Sequence, residues 1–180
     1  GVDILMPHDP KGGGSWIGLT NSSIACLLNH EGKNNSLKSR GKLIVKLLSN
    51  QIDIHSIKPM LFEYNSFRLI YLDLISKEYY HCIWDSLDFK INKINDEVNI
   101  WLSTTIYSEK EIDLKTNFFL KNYSSNYSSE KLLKFHSDKK NIKNCKDIKT
   151  TSITQVSCSN IFSMYHKDLL NNKDYFLKLS

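Results

Sequence analysis

Between Ser66 and Ile94 three β-type runs, Phe67–Ile75, Glu78–Trp84 and Leu87–Ile94, are separated only by the turn pairs Ser76-Lys77 and Asp85-Ser86. Two parallel neighbours need a crossover of a dozen or more residues, which these connections cannot supply. The stretch therefore has to fold as an antiparallel meander. Ser15–Thr20 and Ser23–Asn29, with Asn21-Ser22 between them, read as a hairpin by the same argument.

Helical patterns are few and grouped. Ser39 is placed to cap a helix running to about Asn50, whose Leu43, Ile44, Leu47 and Leu48 recur at helical spacing and would face a sheet. Val98–Ile106 reads as another strand. Ser108-Glu109-Lys110-Glu111 has the form of a capped start to a helix over 108–123, with an amphipathic stretch through Leu114, Phe118, Phe119 and Leu120. A weaker helix covers Ser129–Ser137, and β character resumes at Thr151–Ser157, Ile161–Tyr165 and Tyr175–Leu179. Asn34–Ser36 and residues 138–149 read as surface loops. Grouped strands and helices predict an α+β layered domain with antiparallel sheets, and 180 residues suit one domain, 1–180, with one core.

Composition removes several functions. The net charge is +5, but only Arg40 and Arg68 are arginines, the side chain that grips phosphate and guanine in a two-pronged way. The lysine-rich stretch 131–149 lacks interleaved aromatics, so it reads as a solvated face and no nucleic-acid partner is expected. No apolar run approaches the ~20 residues of a membrane helix, so no membrane insertion is expected. Cys26, Cys82, Cys145 and Cys158 form no Cys-x-x-Cys pair and read as free thiols of a reducing, cytoplasmic compartment. The six histidines show no ligand spacing, so neither a metal nor a cofactor is expected. Gly12-Gly13-Gly14 precedes a strand, whereas phosphate loops precede a helix, and it reads as a close-packed strand entry. The chain opens Gly1-Val2-Asp3, without initiator methionine or leader, and is expected to be an N-terminally incomplete fragment.

Gly13-Gly14-Ser15-Trp16-Ile17-Gly18-Leu19, then Cys26-Leu27-Leu28-Asn29, then Ser39-Arg40-Gly41 resemble the transport and Golgi organisation protein 2 family, also called NRDE proteins. Trp101–Tyr107, Thr154–Ser157 and Ser163-Met164-Tyr165 continue the likeness in the same order. Family members open Met-Cys-Thr and carry Asn-Arg-Asp-Glu soon after; neither occurs in these residues.

That family is similar to the N-terminal nucleophile hydrolases, which implies an αββα sandwich of antiparallel sheets, here expected to lack its first strands. The resemblance implies an N-terminal-cysteine amidohydrolase acting on a non-peptide amide bond, in which the α-amine takes the thiol proton. Asn29 matches the strand-end asparagine that donates to the oxyanion. Ser103 stands where that branch has a second asparagine, so Asn29 and Ser103 are the candidate catalytic residues, with Trp16, Arg40 and His30 as binding candidates. The alternative is a non-enzymatic haem- or lipid-handling or trafficking protein. Either reading implies a small-molecule partner, an unknown substrate in the first and a haem or acyl compound in the second, and an apolar cleft holding a porphyrin or acyl chain would favour the second.

Overall fold

The computed structural model describes residues 1–32, 38–125, 127–144 and 148–179. Strands β1 (Ile17–Leu19), β2 (Ser23–Asn29), β3 (Phe67–Asp73), β4 (Glu78–Trp84) and β5 (Phe89–Lys93) form one antiparallel sheet in chain order. Strands β6 (Ser152–Cys158), β7 (Phe162–Asp168) and β8 (Lys173–Lys178) form a second antiparallel sheet. The helices are α1 (Gly41–Leu48), α2 (Glu109–Tyr123) and α3 (Ser129–Ser137), with a 3-10 helix at Lys58–Glu63. The α+β class with two antiparallel sheets is the one the grouping of elements predicts.

Turn chemistry explains why the meander closes where it does. Asp73 Oδ1 accepts from the backbone N–H groups of Ile75 and Ser76, and Asp85 Oδ1 accepts from Leu87 and Asp88. Each aspartate thus builds its own turn, and Lys77 and Ser86 take the left-handed backbone that brings the chain round. Asp168 repeats the device between β7 and β8, with Asn172 in the left-handed position.

The two faces of the first sheet serve different purposes, as period-two alternation requires. Ala25, Leu27, Phe67, Leu69, Cys82 and Trp84 point to one side and pack against Leu43, Ile44, Leu47 and Leu48 of α1, with Ile57 and Leu61 beside them. This is the main core. On the other side Ile24 joins Leu19 and Met164 in a smaller cluster that ties the first sheet to the second. Further along that same face Cys26, Leu28 and Ile70 look toward α2 and α3.

Several boundaries differ from the sequence reading. Helix α1 begins at Gly41 with Arg40 at its cap position, and no side chain caps it; Ser39 contributes only its backbone carbonyl, to Lys42 N–H. Helix α2 does carry the Ser108–Glu111 capping box, yet of its apolar residues only Phe119 is buried, while Leu114 and Phe118 stay exposed. Val98–Ile106 is not a strand. Its apolar residues lie over the sheet face, bounding a cavity and touching His81 through Trp101, so they are half-buried without pairing with a sheet edge. The expected loop at Asn34–Ser36 and residues 145–147 of the lysine-rich loop lie outside the described residues. Strand β2 is flanked by β1 and β3, and Leu5 bridges the outer edge of β1 at Leu19.

Candidate functional site

The glycine motifs at 13–14 and at 41 meet in space. A Cβ on Gly14 would lie 2.2 Å from the carbonyl carbon of Gly41, and Ser15 N–H donates to Gly41 O at 3.2 Å. This contact fixes the entry to β1 against the start of α1. Beside it opens a polar cleft of about 350 Å³, lined by Trp16, Asn29, Arg40, Ser15, Asp9 and Asn65 among others. Asn29 reaches it because it ends β2 on the α1 side of the sheet, one alternation beyond buried Leu27. Arg40 is held by a 2.8 Å bond from Nη1 to Ser66 O, and its partial burial lowers its pKa. The Trp16 ring lies 6.1 Å from that of His166, on the second sheet.

Three of the five candidate residues, Trp16, Asn29 and Arg40, therefore share one cleft. Ser103 and His30 do not line it. Ser103 is buried and its hydroxyl donates to the backbone carbonyl of Asn29 at 3.0 Å, so it clips the end of β2. Thr104 continues that clip, accepting from Glu31 N–H and bonding His30 Nδ1, both at 2.9 Å.

Two further spaces occupy the opposite face of the sheet. An apolar chamber of about 450 Å³ lies between Cys26, Leu28 and Ile70 below, Phe119, Leu132 and His136 of the helices, and Val98–Trp101 at the side. Sequence reasoning missed it because it is built by the segment taken for a strand. A neighbouring pocket of about 380 Å³ has Arg68, His30, Thr104 and Tyr107 in its wall, with Glu31, Glu109 and Asp113 also lining it. Arg68 stands opposite Leu28 in the β2–β3 register, so the two spaces share that wall. The only early signal for Arg68 was its rarity, as one of two arginines.

Titration follows burial. Burial pushes the Cys26 thiol up to about 11 and that of Cys82 up to about 12, which leaves both protonated and poorly nucleophilic at neutral pH. Among the described cysteines none lines the polar cleft. Among the described residues no three His, Cys, Asp or Glu side chains converge to hold a metal ion, and no helix is long and apolar enough to cross a membrane.

His81 is drawn down to about 4, first by burial and then by the positive charges of Arg68 and His30. Its folded pKa lies below the unfolded value near 6.5, so the unfolded chain binds more protons between the two. The stability tied to neutral His81 is therefore complete above about pH 6.5 and is lost as pH falls toward 4. Allowing for the screening of a half-exposed ring, the loss is about 1–2 kcal/mol. Urea midpoints measured across that range should fall less steeply for His81→Gln than for the wild type; parallel curves would remove His81 as the cause.

No curated protein and no solved structure matched the chain. The family model described as transport and Golgi organisation 2 matches residues 1–176, nearly the whole length. Its reach takes in the Gly14–Gly41 contact, the Asn29 cleft and the apolar chamber alike, and the chain belongs to the transport and Golgi organisation 2 family.

Proposed function

We propose that this protein is a non-enzymatic binding protein that handles a small molecule with an apolar body, of the haem or acyl class, in the chamber between the first sheet and helices α2 and α3. The carrying observation is the chamber itself. Its about 450 Å³ falls within the ~300–1,000 Å³ of small-molecule sites, and its walls are mainly aliphatic and aromatic, with polar groups such as His136, Glu97 and Thr154 in the minority. Cys26, which faces the chamber, stays a thiol at neutral pH and adds apolar surface, which suits non-covalent holding. A role in transport or secretory organisation accords with the family description.

Haemin titration followed by absorbance, and dodecanoate titration by calorimetry, test the reading. Leu132→Trp places a larger ring on α3 at the chamber wall and should weaken whichever probe binds by roughly tenfold or more. Failure of the wild type to bind either probe, or equal binding by the variant, would end it.

A second reading, the N-terminal-cysteine amidohydrolase with an N-terminal nucleophile hydrolase-like fold, is favoured by a different observation. Trp16, Asn29 and Arg40 converge on one polar cleft, with Asn29 at its strand-end mouth. In that reading Asn29 supplies the oxyanion donor and the cleft must receive an N-terminal cysteine thiol.

A further inference from the structure

Arg68 is a feature of the inner sheet face that the packing leaves unexplained. It projects from β3 on the side of Leu28 and Ile70, and its Nε lies buried without a hydrogen-bond partner. No described carboxylate forms an ion pair with its guanidinium, and no described carbonyl or hydroxyl accepts from it. Glu31, Glu109 and Asp113 line the same pocket but are exposed and leave Arg68 unpaired. Two imidazoles stand close enough to feel its charge, His30 and His81, and the Nε2 of His81 is likewise buried and unpartnered.

The Arg68 guanidinium is half-buried beside two imidazoles and is bonded to none of the three carboxylates that line the pocket, and its buried Nε–H, left unmatched, is costly unless an acceptor arrives. The surroundings are prepared for such a group. The Thr104 hydroxyl accepts from Glu31 N–H, so its proton is free for His30 Nδ1, which leaves the Nε2–H of His30 available as a donor. The Arg68 fork adds parallel N–H donors of the kind that match carboxylate and phosphate oxygens. The position is equally specific. Arg68 shares its wall with the apolar chamber through Leu28, and Trp101 of the chamber contacts His81 at a ring distance of 5.7 Å.

We propose that Arg68, assisted by His30, binds the carboxylate or phosphate headgroup of an amphipathic ligand whose apolar body occupies the adjoining chamber. The inference rests on the chamber reading above and narrows it: the cargo is an anion-headed apolar molecule, and Arg68 selects it over a neutral one of the same length.

Calorimetry with dodecanoate, dodecyl phosphate and dodecanol separates these statements. The wild type should bind at least one of the two anionic probes roughly 10- to 100-fold more tightly than dodecanol, the yield of charge-assisted hydrogen bonds. Whichever anion is preferred identifies the headgroup. Arg68→Leu should erase that preference while leaving dodecanol affinity unchanged, and Arg68→Lys should restore part of it. Because Arg68→Leu removes a half-buried charge whose Nε–H has no acceptor, its melting temperature should equal or exceed that of the wild type, which confirms a folded variant. Equal wild-type binding of dodecanol and both anions, or a preference that survives Arg68→Leu, overturns the headgroup site while the chamber reading stands. Binding of none of the three overturns the headgroup site, and if haemin also fails to bind, the chamber reading falls with it.

Discussion

Replacing Gly14 by alanine is expected to lower the melting temperature by roughly 6–12 °C, the equivalent of about 3 kcal/mol in a domain of this size. The new Cβ would sit 2.2 Å from Gly41 C, 2.5 Å from Gly41 O and 2.5 Å from Lys42 N, all backbone atoms at the start of α1. Backbone held by a helix that buries four leucine and isoleucine side chains cannot step aside as a surface side chain would. Gly13→Ala is the matched comparison. Its left-handed φ of 64° strains any L side chain, but the nearest neighbour of an added Cβ is Lys42 Cε at 3.5 Å, an ordinary contact. It should cost about 1 kcal/mol, or some 2–4 °C. Thermal unfolding of the two variants side by side decides the matter: a Gly14→Ala protein melting no lower than Gly13→Ala would show that the two motifs do not brace each other.

Asn29→Ala should leave the fold nearly untouched and, if the cleft is catalytic, remove most of its chemistry. The contact that fixes this strand end uses the backbone carbonyl of Asn29, which accepts from Ser103, and the side chain is exposed. Stability should therefore change by no more than about 0.5 kcal/mol. Loss of an oxyanion donor, by contrast, lowers kcat by roughly 10²–10³. A panel of N-acyl amides, assayed for release of the amine by protein bearing an N-terminal cysteine, measures the effect. Equal turnover by variant and wild type would take Asn29 out of the mechanism; no turnover by the wild type would remove the amidohydrolase reading altogether.

The meander could be read from the chain because its information is local. Asp73 and Asp85 each close a turn with their own carboxylate, and a turn that short permits only one pairing direction. The cleft was half legible for a different reason: the family resemblance, through its Gly-Gly-Ser-Trp, strand-end Asn and Ser-Arg-Gly motifs, names Trp16, Asn29 and Arg40, whereas alternation and spacing locate only the elements that carry them. Ser103 and His30 are candidates from the sequence, but their place outside the cleft was not legible, because it depends on how residues 103–105 fold back onto the end of β2, a contact across more than seventy positions that no local pattern encodes. The same is true of Arg68. Period two puts it on the face opposite the main core, but only the arrival of Val98–Trp101 and the two helices turns that face into a chamber beside an unpaired charge.

The connectivity of the first sheet also sets an order of events in time. Strands β3, β4 and β5 are joined by the aspartate turns and can zip within microseconds, as hairpins do. Strand β2 reaches its partner β3 only after the chain from Asn29 to Phe67, with α1 and the 3-10 helix inside it, has been looped out. That closure costs entropy before any contact returns it. The pairing of β2 with β3, and with it the bringing together of Leu28 and Arg68, is therefore the late step of refolding, so ligand-binding competence should appear after the bulk of the strand signal in a stopped-flow experiment.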